Sequence, residues 1–267
     1  MEPAETFAEL FEMAVHGPDV WVARSAAYPW GRVYGGQVAA QGLWAAAATV
    51  DRKYVPHSLH AYFIRSGLIE EPIRFEVDRI RDGRSFATRR VVARQSGGAI
   101  LNLSASFHVA EDAPDSTSLS MPPGLLPPEE LPSPERDFLF DRRVADEERA
   151  RSWIRVPGEN SDDPLWHAIA HTFASDDLPT EAVEHAHPLG RDRSQGFEDR
   201  RYMGASLDHT MWFHRLAPAD EWVLHDFRAS GVHGARGVAT GELWSRDGVH
   251  IATVNQEVLL RVRDSRA

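Results

Sequence analysis

Apolar and polar positions alternate with a period of two through most of the chain, which predicts strands more often than helices. HSLHAYFIR (57–65), PIRFEVDRI (72–80), SFATRRVVARQ (85–95) and AILNLSASFHV (99–109) each read as a strand. Gly97 and Gly98 between the last two predict a hairpin turn. The pattern returns in SLDHTMWFHR (206–215), EWVLHDFRAS (221–230), ARGVATGELWSR (235–246) and VHIATVNQEVLLRV (249–262), with Asp247-Gly248 as the matching turn. Two segments depart from it. GGQVAAQGLWAAAATV (35–50) predicts a helix that is apolar nearly all round after Gln41, so it must be buried, and its alanines and glycines let a sheet approach closely. PLWHAIAHTFA (164–174) predicts a second helix. Phe7, Leu10, Phe11 and Val15 stand at helical spacing and predict an amphipathic first helix.

Helix, strands and final tight turn therefore occur twice in one order. The register can be checked by subtraction: Phe63 and Phe213, Arg65 and Arg215, Glu71 and Glu221, and Gly98 and Gly248 are all separated by 150 positions. A duplicated α+β unit is expected, each copy an antiparallel sheet wrapped on one apolar helix, which is the hotdog arrangement. Between the copies, residues 110–135 are dense in proline, serine and acids, which suits neither helix interiors nor central strands. The expected division is an N-terminal unit over 1–109, a Pro-rich acidic linker over 110–140 and a C-terminal unit over 141–267.

Composition narrows the function. With 267 residues, 42% of them hydrophobic and 26% charged, the chain has the make-up of a soluble globular protein with room for two cores. No apolar run is long enough to span a bilayer, and the first residues do not form a secretory signal, so a cytoplasmic protein without a membrane partner is expected. There is no cysteine, which excludes disulfides and thiolate catalysis. The formal net charge of −11 argues against a nucleic-acid partner.

Common chemical signatures are missing. The nearest approach to G-x-S-x-G is Gly204-Ala205-Ser206-Leu207-Asp208, which lacks the second glycine. Asp208 and His209, as neighbours on a strand, point to opposite faces, so no Ser-His-Asp triad is expected there. His167 and His171 share a helix face, but Ala168 stands where a zinc protease needs Glu. No metal and no cofactor are expected, since the nucleotide-binding glycine motifs are absent too. Gly35 and Gly36, ahead of a helix, either offer backbone N–H groups to a carbonyl or phosphate oxygen or serve only a tight turn. What remains is a set of polar residues in apolar segments: Asp176 at the end of the second helix, Ser206 opening a strand, and Gln256 inside the last strand. A buried, unpaired amide costs on the order of 1–3 kcal/mol, so Gln256 either has partners inside or faces solvent.

At these residues the sequence resembles the acyl-CoA thioesterase II family. The resemblance is carried by VYGGQVAAQGL (33–43), HSLHAYFIRSG (57–67), RDGRSFATRRVVARQ (81–95), SASFH (104–108), FASD (173–176), SLDHTMWFHR (206–215), ARGVATGELWSRDGV (235–249) and the Gln256-Glu257 strand. It implies a double hotdog, two antiparallel sheets each wrapped on a central helix and joined as a pseudo-dimer. It also implies hydrolysis of acyl-CoA to fatty acid and coenzyme A, and a homo-oligomer. By motif, the residues that hold the attacking water would be Asp176, Ser206 and Gln256. Ser206 stands where bacterial members have Thr. Asp177, Pro179 and Thr180 follow Asp176 where the family tends to be apolar, which leaves Asp177 as the alternative carboxylate. At the offset of 150, Ser206 corresponds to Pro56 and Gln256 to Ser106, so one active site per chain is expected. The competing readings are a hotdog hydratase of enoyl thioesters, whose Asp-His loop motif is not found, and a non-catalytic acyl-CoA-binding module.

Overall fold

A computed structural model describes residues 2–132, 135–137, 139–158, 162–191, 201–215 and 217–263. The strands are β1 (Ala14–Gly17), β2 (Val20–Ala23), β3 (Tyr54–Phe63), β4 (Ile73–Asp82), β5 (Phe86–Gln95), β6 (Gly98–Val109), β7 (Glu135–Asp137), β8 (Phe140–Asp146), β9 (Ala150–Arg155), β10 (Tyr202–Ser206), β11 (Asp208–Phe213), β12 (Val223–His233), β13 (Arg236–Trp244) and β14 (His250–Val262). The helices are α1 (Gly35–Ala47), α2 (Pro164–Ala174) and α3 (Pro179–Ala186). No helix among the described residues is long and apolar enough to cross a membrane.

The strands form one antiparallel sheet in the order β1-β2-β4-β5-β6-β3-β11-β14-β13-β12-β9-β8-β7, with β10 pairing to β14. Read outward from the β3–β11 seam, both sides have the same sequence of strands: β3, β6, β5, β4, β2 on one, β11, β14, β13, β12, β9 on the other. The two expected sheets are thus hydrogen-bonded into one, with Asp208 opposite Tyr62 and Trp212 opposite Ser58. Helix α1 packs against β3–β6 and against α2. Its small residues make this possible: a Cβ on Gly42 would already touch Leu101 and Leu103 at 3.4 and 3.5 Å. Burying Leu43 completely contributes roughly 2 kcal/mol.

The repeat is visible in the ladders. Val77 pairs with Val91 and, 150 positions on, Phe227 pairs with Gly241. The offset then slips by one. Arg89 faces Ala105, whereas Ala239 faces Gln256, so 239 is 150 beyond 89 but 256 is 151 beyond 105. The cause is a longer turn. Gln95 and Gly98 close around Ser96 and Gly97, while Ser245 and Val249 close around Arg246, Asp247 and Gly248. The counterpart of Gln256 is therefore buried Ala105, not Ser106, and the Gly98–Gly248 match is not a structural one. The same slip is seen where Arg65 Nη1 donates to Ala99 O and Arg215 Nη1 to His250 O, at 3.1 and 3.0 Å.

One expectation is corrected here. The first helix is only a 3₁₀ turn, Ala8–Phe11, and Val15 is 73% exposed in β1. Pro18 and Asp19 turn the chain back from β1 into β2, while Phe7 and Phe11 bury against Trp166. The expected linker, whose residues 133, 134 and 138 lie outside the described ones, includes a 3₁₀ turn at Pro128–Glu130 and lies against the second unit. Met121, Leu125 and Leu131 pack on Trp153, Trp222, Leu224 and Trp244, and Trp153 Nε1 donates to Leu126 O.

Candidate active site

Asp176 lies two residues beyond α2, in the turn before α3, and is buried. Its carboxylate reaches the N-terminus of α1, where Oδ2 accepts a 2.8 Å hydrogen bond from Gly36 N. Tyr34, at the cap position, makes no side-chain cap of its own, so the carboxylate from the second half serves as one. The positive end of a helix macrodipole favours a negative charge there. Close approach demands both glycines. A Cβ on Gly36 would stand 2.2 Å from Phe173 O, and one on Gly35 would stand 2.6 Å from Asp176 Oδ2 and 3.1 Å from the Phe63 ring.

Ser206 and Gln256 converge on the other carboxylate oxygen. Ser206 Oγ donates to Asp176 Oδ1 at 3.1 Å and Gln256 Nε2 donates to the same atom at 2.8 Å. Gln256 Nε2 also donates to Ser206 Oγ at 2.8 Å. A local irregularity aims them. Ser206 pairs with Val258 while Thr210 pairs with Asn255, so the ladder shifts by one between β10 and β11. Asp208 Oδ1 accepts from Glu257 N at 2.6 Å and holds this shift. Such bulges bend a strand and re-aim its side chains. Gln256 itself is completely buried in β14, which decides the alternative left by the strand pattern.

The site raises the pKa of Asp176. Burial penalises its charge, while His209 and the bonds from Gln256, Ser206 and Gly36 pull in the opposite direction without cancelling it. Burial also raises the Tyr28 phenol well above its ordinary value, with the Asp176 charge adding to the effect. Asp177 points elsewhere, accepting from Arg142 Nη1 at 3.1 Å in a buried cluster with Glu181. Of the two adjacent carboxylates, Asp176 is the one beside Ser206 and Gln256.

Two contributors escaped the sequence reading. Gly36 is legible in the sequence as a possible donor to a ligand, but its N–H is committed to Asp176. His209, as the neighbour of Asp208 on a strand, points to the opposite face from it. That same alternation turns it inward: it is fully buried, with Nδ1 2.5 Å from Gln256 Oε1 and Nε2 2.9 Å from Ser175 Oγ. Both helix histidines are bonded to backbone: His171 Nε2 meets Ala217 O at 2.8 Å, with burial lowering its pKa to about 4, and His167 Nδ1 accepts from Ala219 N at 3.2 Å. A cleft of about 500 Å³ lies elsewhere, lined by His57, His108, His214 and Arg215 among others.

Comparison with known proteins fixes the lineage. A family model described as "Acyl-CoA thioesterase C-terminal domain" matches residues 105–260, and one described as "Acyl-CoA thioesterase N-terminal domain" matches 25–108. The chain belongs to the acyl-CoA thioesterase II family. Mouse acyl-coenzyme A thioesterase 8 is 33% identical over 95% of this chain and 86% of its own. Acyl-CoA thioesterase 2 of Haemophilus influenzae is 30% identical over 86% and 88%. The crystal structure of an acyl-CoA thioesterase II from Mycobacterium marinum superposes with a TM-score of 0.80 at 32% identity, covering 97% of this chain and 98% of that one. A hot dog fold protein from Alicyclobacillus acidocaldarius shares the fold at 21% identity and a TM-score of 0.76, over 96% and 98%. The thioesterase matches cover both sides of the β3–β11 seam.

Proposed function

We propose that this thioesterase hydrolyses acyl-CoA by direct attack of a water held among Asp176, Ser206 and Gln256. The observation that carries the reading is the convergence of a buried carboxylate, a hydroxyl and an amide, from three separate segments, within 3.1 Å of one another. Ser206 and Gln256 orient the water, and Asp176 takes its proton as the new C–O bond forms. The C–S bond then breaks and the proton passes to the leaving thiolate. General-base catalysis of this kind contributes about 10²–10⁴ in rate. A raised pKa makes Asp176 a stronger base than a solvent-exposed carboxylate.

The reading extends to the architecture. Residues 1–109 and 141–267 are each a hotdog, joined as a pseudo-dimer by the 110–140 linker. Mirror-image strand order about the β3–β11 seam supports this. The working form is a homo-oligomer that serves fatty acid metabolism, on the strength of the family resemblance, and its place in the cytoplasm is the expectation drawn from the sequence alone; sedimentation of the purified protein tests the oligomer. The central test is thiol release from a chain-length series of acyl-CoAs, followed by one turnover of palmitoyl-CoA in H₂¹⁸O. Direct attack puts ¹⁸O in the fatty acid on that first turnover. Unlabelled acid would mean that the carboxylate itself attacks, and hydrated product from an enoyl-CoA would favour a hydratase instead.

A further inference from the structure

We propose that His209 is a positioning residue that locks the amide of Gln256 in the one orientation that serves Asp176. The inference rests on the role given to Asp176, Ser206 and Gln256 above. A glutamine amide has a donor end and an acceptor end of nearly equal size. Beside Asp176 the two orientations are not equivalent. With Nε2 inward, both N–H groups are used, one on Asp176 Oδ1 and one on Ser206 Oγ. Turned over, Oε1 would face a carboxylate oxygen with no hydrogen between them.

His209 provides the selection. Gln256 Oε1 can only accept, so the Nδ1 that stands 2.5 Å from it must carry a hydrogen. A flipped amide would instead set its N–H groups against the Nδ1–H of His209. The imidazole is fixed in turn at its far side. Ser175 Oγ donates to Thr172 O at 3.0 Å, at the end of α2, so it accepts from Nε2 at 2.9 Å, and both ring nitrogens act as donors. Ser175 directly precedes Asp176. A closed circuit therefore runs Asp176, Gln256, His209, Ser175 and back along the chain to Asp176. It ties β14 and β11 to the turn that bears the base. His209 touches neither the carboxylate nor Ser206 by any of these bonds, so its effect on the chemistry passes through Gln256.

The nearest comparison lies within the molecule. Leu59, 150 positions before His209, is fully buried on β3, and the counterpart of Gln256 there is Ala105. Where no amide needs orienting, the place of the imidazole is taken by an apolar side chain.

The test uses the full-length protein. In ¹⁵N-histidine-labelled enzyme at neutral pH, the resonance absent from His209→Asn should report a protonated Nδ1. His209→Leu should lower kcat for palmitoyl-CoA about 100-fold, the scale of a misplaced reacting group, with KM within about threefold of wild type. His209→Asn, which returns a donor close to the position of Nδ1, should recover at least about tenfold of that loss. A purely structural role would give no such ordering of Leu against Asn. Ser175→Ala, a small change at the other end of the circuit, should lower kcat about three- to tenfold and serves where His209→Leu does not fold. An unprotonated Nδ1, a folded His209→Leu with near-normal kcat, or Asn no better than Leu overturns the proposal. Asp176→Asn in the same series separates the two levels. If Asp176→Asn is inactive while His209→Leu turns over normally, only the role of His209 fails. If Asp176→Asn is itself active, the reading it rests on fails as well.

Discussion

At one place in its two halves the chain carries two different sets of side chains. The second half has Asp176, Ser206, Gln256 and His209. The first half has Thr49 two residues past its helix, Pro56 and Ala105 on its strands, and Leu59. Even the ladder irregularity is kept, since the β3–β6 register shifts between Pro56 and Ser58. What fills the first-half position is Arg89, which is 1% exposed. Its Nε donates to Thr49 Oγ1 at 2.6 Å and its Nη2 to Thr49 O at 3.1 Å, while Nη1 bonds Arg81 O and Nη2 also meets Asp82. Ala239 stands at the matching point of β13, beside Gln256. One copy of the unit thus satisfies its buried polar groups with a structural cation, and the other with the network that joins Asp176, Ser206, Gln256 and His209. A repeated frame does not imply a repeated site. The halves still cooperate, because the helix end that receives Asp176 belongs to the first.

The largest effect expected from this contrast is on turnover. Asp176→Asn should lower kcat about 10²–10⁴-fold, the worth of a general base. Its melting temperature should change little. The folded pKa lies above the unfolded one, so between those values the folded chain holds the extra proton and stability falls as pH rises. Asparagine removes that ionisation cost while losing one good acceptor at Gly36 N. Calorimetry beside steady-state kinetics checks both. Next comes Gln256→Ala, expected to cost about 100-fold in kcat through a misplaced water. Ser106→Ala, once its nominal partner, should be silent in kcat because its Oγ bonds His57 instead.

Arg89→Met sharpens the contrast from the other side. It leaves the carbonyls of Thr49 and Arg81 without a buried donor, at a cost on the order of 3 kcal/mol in urea unfolding. Its kcat per folded molecule should stay near wild type. The pH dependence is a smaller but signed effect. Since burial raises Asp176, the acid limb of kcat/KM should fall at a pH above the ordinary carboxylate value of 3.8, with activity lost as pH drops through it. A limb at or below that value would contradict the assigned burial. Ser206→Thr should be the mildest change, within about threefold, because the hydroxyl that bonds Asp176 is retained.

Much of this was legible in the sequence. The strands β3 to β6 and β11 to β14, both main helices and the three polar residues followed from alternation, spacing and motif. What escaped has physical reasons. Short edge strands such as β1 and β7 are too brief to show a period. The slip between Ser106 and Ala105 came from one extra residue in a turn, which subtraction cannot see. His209 looked like half of an adjacent pair, and only the pairing of β11 with β14 shows that it lies opposite an amide. Gly36 was visible as a donor, but its acceptor comes from 140 residues away.

The claim that only the second half carries the chemistry is tested most directly by one paired measurement, kcat for palmitoyl-CoA in Asp176→Asn and in Thr49→Ala. Both residues stand two positions past their helices, and folding of both variants is verified by circular dichroism. The account predicts a loss of at least about 100-fold in the first and less than about twofold in the second. Comparable losses in the two variants, or near-normal turnover by Asp176→Asn, would contradict it.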